Sequence, residues 1–286
     1  MPSTQELRRR IRSVANTAKI TRAMQMIAAS KMRRAQEMVV AGRPYSEHMN
    51  SVLSHLAALE RGSEDSSVPL LEARDVKTTG IVLITPDRGL AGGLVSNLTR
   101  AVERAISASE SPVTLVAIGK KGRNFTVRTG NELKAVFDGI GDNPTVEDTR
   151  AISNLVIDEF ESAGVDRVLL AYSRFINTAV QSPTIETLIP VEPAELTGNA
   201  AIGYIYEPGP VEVLEQLLPR YVEMEVYHAV LEAIASEHSA RMVAMKNATD
   251  AANDLIDDLT LKLNKARQEA ITSEMLDIVG GVEALA

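Results

Sequence analysis

With 286 residues, 45% of them hydrophobic and 24% charged, the chain can bury one or two real cores, and having no Cys it can form neither disulfides nor Cys-based zinc or redox sites. Aromatic residues are only 3% and Trp is absent, so small and aliphatic side chains must do the packing; no apolar run approaches the roughly 18 residues of a membrane span. The net charge of −8 conceals a basic start, where Arg8, Arg9, Arg10, Arg12, Lys19, Arg22, Lys31, Arg33 and Arg34 are opposed only by Glu6, a segment fit to face an acidic partner or a polyanion.

From about Thr4 to Leu59 strand and turn signals are missing apart from Gly42 and Pro44. Apolar or small residues recur at Leu7, Ile11, Val14, Ala18, Thr21, Gln25, Ala28, Met32, Ala35 and Val39, in alternating steps of four and three with one polar lapse at Gln25. That spacing is a heptad seam and predicts a coiled-coil helix roughly 80 Å long, with Pro44 kinking it rather than ending it. The Arg-rich start has the composition of a mitochondrial presequence, but the apolar pattern runs on unbroken, which marks a structural helix. The same start, MPSTQELRRR, lacks the apolar core of a secretory signal.

Arg61 to Lys77 reads as a linker, polar first and then holding Pro69. From Thr78 the period changes. Gly80–Thr85, Val113–Ile118, Arg167–Tyr172 and Thr184–Ile189 read as strands, with Ile202–Tyr206 as a last one; Gly93–Ala108, Lys120–Arg128 and Val146–Ala163 read as helices between them. The alternation predicts an open, Rossmann-like α/β domain. Glu207-Pro208-Gly209-Pro210 closes it, and helix resumes from about Val211 to the end, roughly 105 Å, with Pro219 as its one internal break. The expected division is therefore 1–60 N-terminal coiled-coil helix, 61–77 linker, 78–208 α/β domain and 209–286 C-terminal coiled-coil helix.

The second seam runs Met242, Met245, Thr249, Ala252, Ile256, Leu259, Leu263, Ala266, Ala270. Two such helices flanking one domain bury their stripes against each other only if they lie antiparallel. The C-terminal helix is the longer by roughly 15 residues, about 20 Å. In that overhang Ile271, Met275, Ile278, Val282 and Leu285 continue the seam, with Leu276 and Val279 beside it. A stripe that this chain cannot cover calls for a second protein around the tip.

Three stretches are specific. IRSVANTAKITRAMQMIAASKMRRAQ (11–36), SEHSARMVAMKNATDAANDLI (236–256) with LNKARQEAITSEMLDIVGG (263–281), and TPDRGLAGGLVSNL (85–98) resemble the gamma subunit of F-type ATP synthases, in the expected order across essentially the whole chain. The resemblance implies a non-catalytic rotor without a cofactor. Its coiled coil would stand inside a ring of three alpha and three beta subunits, and its globular part would bind the epsilon subunit and the membrane c-ring. Ion flow would turn it, while ATP chemistry stays on the beta subunits. It implies a peripheral place on the cytoplasmic face of a bacterial membrane, since the Cys-bearing insertion of chloroplast members is absent. Carried over onto the matching strings, Met24, Arg241, Gln268 and Thr272 belong to zones coupling rotation to catalysis. Arg8, Arg9, Arg12, Lys31, Arg33, Arg34 and Glu274 join them as expected subunit contacts, and Ile271, Met275, Ile278, Val282 and Leu285 form the tip bearing.

Plainer readings stand beside these. Asp87-Arg88-Gly89-Leu90-Ala91-Gly92-Gly93 lies between strand and helix, where phosphates often bind, yet it matches neither GxGxxG nor the Walker A pattern and reads as a tight structural turn. His48, His55, His228 and His238 form no metal motif and read as surface or interface residues. Asp250, Asp254, Asp257 and Asp258 read as a solvated helix face. On residues alone, a nucleic-acid-binding coiled coil, a static scaffold and a nucleotide enzyme remain alternatives; few aromatics for stacking and no acid/base set weigh against the first and last.

Overall fold

The computed structural model describes residues 3–60, 68–192, 206–207 and 209–283. In chain order the elements are α1 (Thr4–Glu60), a short 3-10 turn at Pro69–Leu71, β1 (Thr79–Ile84), α2 (Leu94–Ala108), β2 (Val113–Ile118), α3 (Lys120–Thr129), β3 (Glu132–Phe137), α4 (Val146–Glu161), β4 (Arg167–Phe175), β5 (Gln181–Ile189) and α5 (Pro210–Glu283).

The five strands form one mixed sheet in the order β3-β2-β1-β4-β5, parallel throughout except for the antiparallel β4–β5 pair. Alternation of side chains along each strand separates two apolar layers. Ile81, Leu83, Leu115 and Ala171 face Leu98 and Val102 of α2 and Phe125 of α3. Val82, Ile84, Val116, Ile118, Leu170 and Tyr172 face the larger layer, where Ile152, Val156 and Phe160 of α4 meet Leu53 and Leu56 of α1 and Leu214, Leu218 and Val222 of α5. Each fully buried Leu or Phe there contributes about 1.5–3 kcal/mol, so the long helices are built into the domain as its third layer. The chain separates into two compact units, Ala29–Ala240 and the combination of Met1–Ala28 with Arg241–Ala286.

Against the sequence reading, β1 begins and ends one residue earlier, β4 and β5 are each three residues longer, and within the described residues the helices differ by no more than two residues at either end. Glu132–Phe137 is an unexpected strand. Its burial alternates exposed and half-buried, as at a sheet edge, and its Glu, Lys and Ala residues, which strands disfavour, weaken the signal. The expected strand Ile202–Tyr206 lies outside the described residues except for Tyr206. Pro219 does not break α5, which is one helix from Pro210 to Glu283. Leu214, Leu218 and Val222 are fully buried around it, and their packing outweighs the about 3 kcal/mol cost of an internal proline. Pro44 likewise lies inside α1, at an exposed position.

Candidate functional site

The residues expected to meet other subunits lie on the long helices. On α1 the expected seam positions Leu7, Ala18, Thr21, Ala28, Ala35 and Val39 are buried, and Ile11, Val14, Gln25 and Met32 half-buried. On α5, Met245, Thr249, Ala252 and Leu259 are buried and Met242, Ile256, Leu263 and Ala266 half-buried. The two stripes meet at a pair of buried hydroxyls, Thr21 Oγ1 lying 2.7 Å from Thr249 Oγ1, while Thr249 also donates to the Met245 carbonyl at 2.8 Å.

Among the described residues Ala266 is the last seam position with any cover. From Arg267 through Val279 every side chain is exposed, including Ile271 at 51%, Met275 at 60% and Ile278 at 63%, with Leu276 and Val279 beside them. Ala270 is exposed with them. Val282 has helical backbone, its side chain falling outside the described residues, as does Leu285 entirely. Gln268, Thr272 and Glu274 are exposed, and Thr272 Oγ1 donates back to the Gln268 carbonyl at 2.9 Å.

The basic positions divide. Arg8, Arg9, Arg12, Arg33 and Arg34 are exposed, Met24 and Arg241 half-buried. Lys31 is engaged within the chain, its Nζ 2.6 Å from Asp142 Oδ2 in the loop between β3 and α4. The same carboxylate holds His238, Nε2 lying 2.9 Å from Oδ1. Burial alone would raise the Asp142 carboxyl, but Lys31 and His238 outweigh it and hold it below the ordinary carboxylate range. His238 is only 2% exposed within the chain itself, which corrects its reading as a surface or interface residue. The sequence does carry the signal: the α5 seam continues backward in the same steps through His238, Ala235 and Leu231, all buried. Asp250, Asp254, Asp257 and Asp258 are exposed, and Asp258 pairs with Lys262 at 2.6 Å.

In parallel sheets ligands bind where the strand order reverses, here at the carboxyl ends of β1 and β4. In this chain those groups are already occupied. The turn after β1 carries Leu90 and Gly92 in left-handed conformation. Asp87 accepts hydrogen bonds from Lys120 N at 2.9 Å and Gly139 N at 3.2 Å, and Thr85 Oγ1 accepts from Gly122 N at 2.7 Å. The α3 amides that could hold a phosphate are thus capped internally. Val230, Ala233 and Ile234 of α5 close over the crevice and leave a cavity of about 50 Å³, too small for a nucleotide. The Asp87 segment is therefore a structural turn.

A wider cleft of about 470 Å³ lies between β4, β5 and α5, lined by Tyr172, Arg174, Glu186, Tyr221, Glu225 and Glu232 among others. Arg174 Nη2 bonds Glu186 Oε2 at 2.7 Å and the Tyr172 hydroxyl at 2.9 Å. Burial, with the Glu186 and Glu232 charges adding to it against Arg174, pushes the Glu225 carboxyl up to about 7. Among the described residues no group of three or more His, Asp or Glu side chains is placed to hold a metal ion, and no helix is long and apolar enough to cross a membrane.

Comparison with known proteins accounts for this architecture. The family described as ATP synthase matches residues 3–285. The chain is 54% identical over 286 residues, the full length of both, to the ATP synthase gamma chain of Dehalococcoides mccartyi strain CBDB1. It is 50% identical over 290 residues to the ATP synthase gamma chain of Roseiflexus sp. strain RS-1, covering all of this chain and 99% of the relative. Among solved structures it resembles a chain of the central stalk and c-ring of the Tetrahymena thermophila mitochondrial ATP synthase, with TM-score 0.62 and 27% identity over 80% of this chain and 99% of that one. A chain of the Euglena gracilis mitochondrial ATP synthase shares the fold with TM-score 0.70 at 20% identity, over 99% of this chain and 94% of that one. Long terminal helices, the sheet between them and a full-length match at about half identity together place this chain in the ATP synthase gamma-chain family.

Proposed function

We infer that the chain is the central-stalk rotor of an F-type ATP synthase, turning inside a catalytic hexamer and coupling ion flow across a membrane to ATP synthesis or hydrolysis. The chain itself is non-catalytic in this reading, with ATP chemistry on the beta subunits. Its partners are three alpha and three beta subunits, the epsilon subunit and the c-ring, on the cytoplasmic face of a bacterial membrane. The match to gamma chains from Dehalococcoides and Roseiflexus supports that setting.

In this reading α1 and α5 form an antiparallel coiled-coil shaft and the sheet belongs to a Rossmann-like α/β domain, with functional boundaries at 1–60, 61–77, 78–208 and 209–286. Register supports the pairing. Thr21 meets Thr249, and a Cβ on Gly42 would lie 3.9 Å from His228, so 21 residues forward on α1 correspond to 21 backward on α5. The same register sets Thr4 opposite Ala266, where cover on α5 ends.

The observation that carries the function is the uncovered end of α5. From Arg267 to Val279, about 20 Å of helix, no described residue of this chain covers α5. An apolar stripe of that length needs a sleeve, and apolar contact is non-directional, as a bearing requires. Ile271, Met275, Ile278, Val282 and Leu285 are the proposed bearing. Arg8, Arg9, Arg12, Met24, Lys31, Arg33, Arg34, Arg241, Gln268, Thr272 and Glu274 are the proposed subunit contacts, the exposed arginines meeting acidic loops through charge that slides rather than locks. The test fixes an alpha/beta hexamer assembled with this chain and follows a bead on the sheet domain. Unidirectional stepping on ATP addition is expected; a hexamer that hydrolyses ATP while the bead shows only unbiased diffusion overturns the reading.

A further inference from the structure

Three consecutive residues of α5 are held by three different loops. His238 is bonded to Asp142 of the β3–α4 loop. Ser239 Oγ donates to the Thr178 carbonyl at 2.7 Å in the β4–β5 turn, and Gln181 Nε2 reaches Ser239 Oγ at 3.4 Å. Ala240 packs on Ala91 of the β1–α2 turn and on Leu94, the first residue of α2. All three α5 residues are nearly sealed from solvent, at 2%, 0% and 9% exposure. Successive helix positions turn by about 100°, so three in a row are gripped around more than half of the helix circumference. Asp142 extends the grip to α1 through Lys31.

We propose that these three loops form a clamp that fixes the sheet domain rotationally to the helix pair, with Asp142 and Ser239 as its positioning residues. This rests on the rotor reading and adds to it where torque enters the shaft. The apolar layer that joins α1 and α5 to the sheet supplies most of the cohesion, and its close packing resists sliding as well. Hydrogen bonds and ion pairs depend on angle and distance, so they resist rotation of the helix within its seat. The loops used are those that bind ligands in other α/β folds. Here two of them spend polar groups on the protein's own helix, and the third, the β1–α2 turn, meets it through Ala91.

The test uses the full chain assembled with an alpha/beta hexamer and compares wild type, Asp142→Asn, the pair Asp142→Ala with Ser239→Ala, and Asp138→Ala as an exposed control in the same loop. Hydrogen exchange is read at residues 138–145 and 176–180, and angular spread is read from a bead on the sheet domain paused at low ATP. Loss of each charge-assisted bond raises local opening about tenfold, so protection of the Asp142 loop falls by about that factor in Asp142→Asn and further in the pair. The bead's angular spread broadens in the same order while ATP hydrolysis by the hexamer and the control stay at wild-type values. Unchanged spread with lost protection would show that the loops stabilise locally without carrying torque, and would overturn the proposal. So would unchanged protection. Failure of wild type to rotate would count against the rotor reading alone, since the exchange readout needs no rotation.

Discussion

The buried threonine pair offers a quantitative check on how the terminal helices meet. Thr21 and Thr249 are each 8% exposed and share a 2.7 Å hydroxyl contact, with carbonyl acceptors at Ala18 and Met245. Replacing Thr21 by Val removes one interhelical hydrogen bond but keeps the side-chain volume, so the cost is about 1 kcal/mol. Thr249→Val costs a similar amount. In the double variant two methyl groups face each other where two hydroxyls did, no polar atom is left stranded, and the net change returns towards zero. The double-mutant cycle therefore gives a coupling of about 1–2 kcal/mol, the double variant being more stable than additivity allows. Urea unfolding of the full chain, followed by helical circular dichroism and repeated at two protein concentrations, measures it. Strict additivity would mean that the two hydroxyls do not meet, and the register built on them would be wrong.

Other consequences concern separate parts of the molecule. Glu225 is raised to about 7 in the fold and titrates near its ordinary value when unfolded, so the folded state binds the extra proton between those limits. Stability should fall as pH rises from about 5 to about 7 and level off above, and Glu225→Gln should flatten that slope; an unchanged slope in the variant would exclude this carboxyl as its source. Asp87→Ala removes the acceptor of two solvent-exposed hydrogen bonds, from the amides of Lys120 and Gly139, and should cost about 0.5–1.5 kcal/mol by denaturant titration, with Asp87→Asn costing less because one acceptor oxygen remains. Removing residues 267–286 should change unfolding stability by less than about 1 kcal/mol, because the described part of that segment buries nothing, yet weaken binding to the alpha/beta hexamer. Equal losses in both assays would argue that the end of α5 packs on its own chain.

The helices are legible in the sequence because their seams are strict. The alternation of four and three runs from Leu7 past Gly42 in one phase and reaches buried Met49, Leu53 and Leu56, so Pro44 interrupts neither the pattern nor the helix. Pro219 reads as a break only when proline is weighed without the buried leucines around it. The central strands are legible as runs such as GIVLIT, buried on both faces, whereas ELKAVF at the sheet edge has a strand's alternation but is built partly from Glu, Lys and Ala, which strands disfavour. The clamp is the least legible feature. His238 and Ser239 look like ordinary polar residues in a helix, and their partners Asp142 and Thr178 stand roughly 60 to 100 residues away in loops that only the folded sheet brings to them. Tertiary proximity of this kind leaves no local period to read. The uncovered stripe after Ala266, by contrast, follows from the unequal lengths of the two seams.

The absence of native Cys makes one measurement decisive. With Ala18→Cys and Ala252→Cys introduced together, the antiparallel register places both residues at the same level of the seam, where each is 8% exposed. Mild oxidation of the assembled complex should join them within a single gamma chain and leave Ala18→Cys paired with Ala270→Cys unjoined. A bond between 18 and 270, or none at 18 and 252, would contradict the paired-helix shaft on which the rotor account stands.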